Sequence, residues 1–234
     1  RKAVLQDVVD GARVADAMPN IDFLMSMFLP NDAGAAKEVQ QMEVLLTHSA
    51  KPICFVTYEW AGTAEIIEML EVAVGGAERL RNRPTAIVYL NPTSGFRHNE
   101  EALRKLMYVA EKHFPCVYWP EVGRGLTCPI TFAGGMACSN AGHLVGLVIA
   151  QLVSEGAPVT LCSAMPFTLD MRTMVVPYAD PDCKAFALEM SRYYNLPSFN
   201  WGGMSDSKLL DEQAVMEAAL TLFAATISGG NLIH

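Results

Sequence analysis

Pro84-Thr85-Ala86-Ile87-Val88-Tyr89-Leu90-Asn91 is the stretch that decides the fold. A proline ends the preceding helix without removing a ladder hydrogen bond, and a short run rich in β-branched and aromatic residues follows it. The same punctuation recurs in both directions along the chain. Pro19, Pro52, Pro115, Pro158 and Pro197 stand just before the runs 21–29, 53–58, 116–119, 159–163 and 198–201, and 231–234 begins a further one. Run starts lie about 30 to 45 residues apart, the length of a strand plus a crossover helix.

Between the runs the periodicity is helical. Ile66, Ile67, Leu70 and Val74 follow Thr63, and Leu103, Leu106, Met107 and Ala110 follow Asn99 and two glutamates suited to a helix N-terminus. Asp180-Pro181 reads as an N-cap and first-turn pair for a helix through Phe186 and Met190 that stops at Asn195. Further helices are expected over 3–17, 35–47, 136–153 and 209–227. The order is one helix, six βα units and a last strand, which demands a parallel sheet with right-handed crossovers. No G-x-G-x-x-G or Walker sequence marks a dinucleotide or P-loop switch point. The simplest solution is an α/β chain in which residues 1–234 form one (β/α)8 TIM barrel whose first strand lies upstream of Arg1. Loops before the strands are tight. Those after them, especially 120–135 and 165–180, are long, as expected if chemistry occupies the C-terminal rim.

With 51% hydrophobic residues in 234, the chain can bury a sizeable core. Seventeen Lys and Arg against 25 Asp and Glu leave a net charge of −8, which gives nucleic acid and anionic lipid no basic footprint. The six cysteines form no C-x-x-C pair and read as reduced, intracellular thiols, hence a cytoplasmic protein. Residues 125–154 contain no Asp, Glu, Lys or Arg, but Pro129, Asn140, His143 and Gln151 interrupt them, so a buried helix is expected there rather than a membrane span. The chain opens on Arg1-Lys2 without a methionine and stops in an apolar run, which reads as a fragment of a longer protein.

Aromatic residues gather at strand ends and in the loops that follow: Tyr58, Trp60, Phe96, Trp119, Phe132, Phe167, Tyr178 and Trp201. Any one of them could simply fill a core. Together they suit a water-poor pocket whose π-faces attract a permanent organic cation. Glu59, Asn91, Glu121, Arg124, Asp170, Arg172, Asn200, Asp206 and His234 share those positions, where salt bridges and loop capping are the competing roles. His234 ends the last strand behind an apolar lead-in that points it into a barrel mouth. Only Cys162 and His234 fall where zinc ligands could converge, and two ligands make no site, so no protein-held metal is expected.

Six short motifs carry a resemblance. They are Met18-Pro19-Asn20-Ile21-Asp22-Phe23, Gly156-Ala157-Pro158-Val159, Asp170-Met171-Arg172, Ser205-Asp206-Ser207-Lys208, Asp211-Glu212-Gln213-Ala214 and Gly229-Gly230-Asn231-Leu232-Ile233-His234. In this order, over essentially the whole chain, they resemble the trimethylamine methyltransferase family. The resemblance implies a TIM barrel that moves a methyl group from a methylamine or quaternary amine to the Co(I) of a corrinoid (cobalamin) carried by a separate protein. Trimethylamine-specific members carry pyrrolysine. This sequence holds only standard residues and so resembles the non-pyrrolysine branch that includes glycine betaine methyltransferase. For such a substrate the resemblance and the strand-end positions together point to His234, Arg172, Asn200, Trp201, Tyr58, Glu121, Asn91 and Asp206 as binding residues. Aromatic faces such as Trp201 or Tyr58 would hold the cationic head, and Arg172, His234 or Asn200 the carboxylate. A corrinoid protein as partner and a homo-oligomer are further expectations. Two other readings stay open: a barrel lyase or decarboxylase acting on a small acid, and a silent barrel that binds a betaine.

Overall fold

The computed structural model describes residues 1–26, 28–93, 96–162, 167–180, 186 and 188–234. In chain order the elements are α1 (Leu5–Ala17), β1 (Leu24–Met25), α2 (Lys37–His48), β2 (Ile53–Val56), α3 (Trp60–Val74), α4 (Ala77–Asn82), β3 (Ala86–Leu90), α5 (Glu100–Glu111) and β4 (Cys116–Tyr118). They continue as β5 (Gly123–Arg124), α6 (Phe132–Val153), β6 (Val159–Cys162), β7 (Phe167–Thr168), α7 (Glu189–Tyr194), β8 (Ser198–Asn200), α8 (Glu212–Ile227) and β9 (Leu232–Ile233). Among the described residues seven strands form one sheet in the order β1-β2-β3-β4-β6-β8-β9, which is chain order once the small β5–β7 pair is set aside. The β1–β2, β2–β3, β6–β8 and β8–β9 pairings are parallel, with Leu24 opposite Ile53, Ile53 opposite Ala86, Leu161 opposite Ser198, and Phe199 opposite Leu232. The expected parallel α/β architecture is therefore present. The expected helix start at Pro181, and Ser163 at the end of its run, lie outside the described residues.

The prolines show why their punctuation was readable. A proline has no N–H to give, yet its carbonyl still accepts from the neighbouring strand. The N–H of Leu24 donates to Pro52 O at 2.9 Å, that of Val88 to Pro115 O at 3.1 Å, that of Cys116 to Pro158 O at 3.1 Å, and that of Leu161 to Pro197 O at 3.1 Å. These four strands, β2, β4, β6 and β8, thus begin on an acceptor-only residue, at the one position where the missing donor breaks no rung, whereas at β3 the acceptor is Thr85 O, one residue past Pro84.

The chain divides into two compact units. The first comprises Arg1–Leu90, Arg104–Cys116 and Val153–Pro158. Its core joins Ile53 and Phe55 of β2 with Ile66, Ile67 and Leu70 of α3 and Leu106 and Val109 of α5, all buried. Phe55 meets Phe114 with ring centroids 6.1 Å apart. Lys105 is buried too, and its Nζ donates to Thr57 O at 2.7 Å and Tyr58 O at 3.3 Å, fixing the turn that leaves β2. Neutral acceptors and a buried ammonium satisfy each other there, since either alone would be costly to desolvate.

The second unit comprises Asn91–Leu103, Val117–Leu152 and Val159–His234. α6 packs through small residues: a Cβ on Gly146 would overlap the ring of buried Tyr118, and one on Gly142 would lie 2.6 Å from Pro120 Cγ. The expectation of a buried helix holds for one face only. Gly135, Ser139, His143, Gly146 and Ala150 are buried, whereas Val148 and Leu152 on the other side are exposed. A helix that approaches a sheet this closely spends its small residues on the contact and leaves its larger apolar ones outside. α8 starts at Glu212 rather than 209 because Asp211 is the N-cap, its carboxylate accepting from Ala214 N at 2.9 Å and from Ser207 Oγ at 2.9 Å.

Candidate functional site

Aromatic side chains of the second unit meet at the C-terminal ends of β4, β8 and β9. Trp119 follows β4 and Trp201 follows β8, and their rings stand edge to face at 4.4 Å and 85°. Tyr178 approaches Trp201 at 5.6 Å, and His234, just past β9, lies 6.0 Å from Trp201 and 4.6 Å from Phe199. Backbone hydrogen bonds lock the ends together: His234 N donates to Asn200 O at 3.0 Å and Gly202 N to His234 O at 2.8 Å. Both indoles are buried, while Tyr178 is 38% exposed and forms the outer face of the group. Such a cluster offers π-faces and little water, the environment in which a quaternary ammonium is held best.

The polar residues around it divide by role. Asp206 clasps the loop that carries Tyr178, its carboxylate accepting from Tyr178 N at 2.7 Å and Ala179 N at 3.4 Å. Asp206 is itself set by the Ser205–Glu217 network: Glu217 Oε2 accepts from Ser205 Oγ and Asp206 N, both at 2.8 Å. Asn200 is fully buried, and its Oδ1 accepts from Trp201 N at 2.8 Å, orienting the indole. Burial pushes the carboxyl of Glu121 above the usual carboxylate range. The phenol of Tyr178 is likewise raised, first by burial and then by the charge of Glu121, which places that carboxyl within electrostatic reach of the ring.

Of the eight residues expected from sequence, the structure gathers His234, Asn200, Trp201, Asp206 and Glu121 around this cluster. It does not bring Arg172 there. Arg172 sits on the turn bridged by Asp170 and Val175, its side chain 94% exposed and its Nε 4.0 Å from Asp170, because Asp170 accepts from Arg172 N at 2.9 Å and Thr173 Oγ1 at 2.8 Å and winds the segment outward. Asn91 is exposed on the strand-end loop, and Tyr58 belongs to the first unit, where its side chain is exposed. Trp119 and Tyr178 join the site although the list of binding residues omitted them. Their signal was the strand-end position that Trp201 shares. The β5–β7 pair, two residues a side, left no trace in the sequence; it sets Arg124 over the Phe132 ring at 3.7 Å.

Among the described residues no three His, Cys, Asp or Glu side chains converge as a metal site. Burial holds the thiols of Cys54 and Cys116 up to about 12, so both are protonated and supply no thiolate.

A family profile described as trimethylamine methyltransferase (MTTB) matches residues 1–234. The relatives include a trimethylamine methyltransferase MttB of Desulfitobacterium hafniense, 31% identical over 238 residues that cover 100% of this chain and 48% of the relative. A glycine betaine methyltransferase of the same species is 30% identical over 240 residues, covering 100% of this chain and 50% of its own length. A trimethylamine methyltransferase MttB of Methanosarcina thermophila is 26% identical over 238 residues, covering 99% and 49%. The chain thus spans about half the length of the curated relatives it matches.

Proposed function

The chain belongs to the trimethylamine methyltransferase family, and on that premise we propose that the full-length protein moves a methyl group from a small quaternary amine of the glycine betaine type to a corrinoid. The observation that carries this reading is the cluster of Trp119, Trp201, Tyr178 and His234 beside the half-buried carboxyl of Glu121. The acceptor, a reduced cobalt corrinoid held by a separate protein, supplies the nucleophile when bound. Everything else falls to this chain as binding, orientation and exclusion of water. Trp201 and Tyr178 receive the cationic head on their π-faces. His234 and the Asn200 segment hold the carboxylate end, while Asp206 keeps the Tyr178 loop in place. A quaternary ammonium leaves as a neutral tertiary amine, so no general acid is required, which accords with a site whose titratable groups serve recognition.

The same premise extends to the fold: residues 1–234 form a single catalytic domain, most of an eight-stranded barrel whose remaining strand is contributed from upstream. A cytoplasmic setting and a homo-oligomer complete the proposal. The exposed apolar residues Val215, Met216, Phe223 and Ile227 of α8 supply surface for association. A lyase would call for a Schiff-base lysine or a metal at a strand end, and the described strands contain no lysine.

The test is methyl transfer by the full-length protein with free cob(I)alamin. Glycine betaine should yield methylcobalamin, read by its absorbance, and an equal amount of dimethylglycine, read by NMR. A folded protein that forms no methylcobalamin from glycine betaine, carnitine, proline betaine or trimethylamine would refute the reading.

A further inference from the structure

One cavity beside the aromatic cluster, which shares Glu121 with it, is lined by groups of opposite charge. It measures about 150 Å3 and lies between residues 93 and 96–98 after β3, the turn after β4 and the side of α6, all within the second unit. Thr93, Phe96, Arg97 and His98 line it from the loop, Glu121 from the turn and Val145 from the helix. Arg97 is exposed and makes no salt bridge among the described residues. His98 is set by Tyr118: its Nδ1 lies 2.6 Å from the phenol oxygen, and the two rings are parallel. In the tautomer in which the phenol donates to Nδ1, the imidazole carries its proton on Nε2. Burial keeps His98 below its ordinary value, so it stays a neutral donor at pH 7. Thr93 N donates to Asn99 Oδ1 at 3.0 Å. Phe96 sits in the left-handed region at φ 64°, a strain of about 1–3 kcal/mol for a bulky residue that characteristically accompanies ligand sites.

We infer that this cavity is a second binding site, for a small zwitterion such as an α-amino acid, whose carboxylate meets Arg97 and His98 and whose ammonium faces Glu121. Its volume equals that of about five waters, enough for glycine or alanine. The guanidinium and the imidazole N–H suit a carboxylate as charge-assisted donors, and Phe96 and Val145 supply apolar lining. Glu121 repels a plain carboxylate and Arg97 repels a plain amine, so only a ligand bearing both charges satisfies both ends. Glycine and alanine carry no N-methyl group, which makes occupancy of this site independent of methyl transfer.

The experiment is isothermal titration of the full-length protein with glycine and L-alanine, beside propionate and ethylamine as size-matched ligands of one charge. At least one amino acid should bind saturably, with propionate and ethylamine at least tenfold weaker. Arg97→Ala, at an exposed position, should weaken the amino acid at least tenfold, as should Val145→Phe, which fills the cavity from the helix side. Should Val145→Phe fail to fold, Arg97→Ala decides alone. The inference is overturned if the folded protein binds neither amino acid, if propionate or ethylamine binds equally well, or if Arg97→Ala binds like the parent. Arg97→Ala should keep its methyl transfer, and absence of that activity in the parent leaves the titration result standing.

Discussion

Trp201 does two things at once. Its indole is held by the amide of Asn200 through its own backbone N–H at 2.8 Å, and its ring is the one that Trp119, Tyr178 and His234 all face. Replacing it with alanine should weaken binding of glycine betaine by about 0.5–2 kcal/mol, a loss of about two- to thirtyfold in Kd. Trp201→Phe should recover part of that loss, as titration of the full-length protein would show; equal affinity in all three forms would remove the indole from the site. His143, on the buried face of α6, makes a second residue-scale prediction. Its Nδ1 faces Ser139 O at 2.7 Å, its Nε2 meets no partner among the described residues, and burial holds it down to about 4. The folded protein therefore keeps the imidazole neutral, while the unfolded chain takes up a proton near pH 6.5. The resulting stability is complete above that pH and is lost as pH falls from 6.5 towards 4, by up to about 3 kcal/mol. Urea unfolding at pH 7, 6 and 5 should show the decline, and His143→Leu should flatten it.

At the scale of elements, close approach governs the packing. Gly146→Ala should destabilise the protein even though alanine is the better helix former. The helix gains about 1 kcal/mol, but a methyl forced into the Tyr118 ring costs about 1–3 kcal/mol. A melting temperature equal to the parent's would show that α6 can move off β4. Lys105→Met keeps the stem of α5 packed and strips Thr57 O and Tyr58 O of a donor, so thermal stability should fall by about 1–3 kcal/mol. The strands were legible because Pro52, Pro115, Pro158 and Pro197 mark their starts for a physical reason, as acceptor-only residues at the first rung, and Pro84 stands one residue before the first acceptor of β3, Thr85 O. α4 was not, since Gly75-Gly76 reads as a turn and Arg79 and Arg81 carry no apolar period. The placement of Asp206 was equally hidden: nothing in Ser205-Asp206-Ser207 says that its carboxylate reaches the backbone of Tyr178. The position of Arg172 was hidden as well, because nothing in Asp170-Met171-Arg172 says that the Asp170 turn leaves its side chain in solvent.

For the whole molecule, burial of thiols turns chemistry into a record of opening. Cys54 and Cys116 are buried in the first unit and Cys162 in the second, whereas Cys128 and Cys138 are partly accessible. Alkylation at pH 8, read residue by residue by mass spectrometry, should label Cys128 and Cys138 ahead of these three buried thiols. Cys54, Cys116 and Cys162 should react only as urea unfolds the chain. Fast labelling of Cys54 in the native protein would contradict the packing of β2 described above. The net charge of −8 leads to a simpler expectation: at neutral pH and moderate salt the protein should bind an anion exchanger and pass through heparin.

The crossed indoles of Trp119 and Trp201, 4.4 Å apart, have an optical corollary. Chromophores at that separation share their excited states, so the pair should imprint a signed couplet on the near-ultraviolet dichroism, one whose amplitude shifts whenever a guest parts or tilts the rings. The molecule thereby carries its own label for occupancy, readable without a dye.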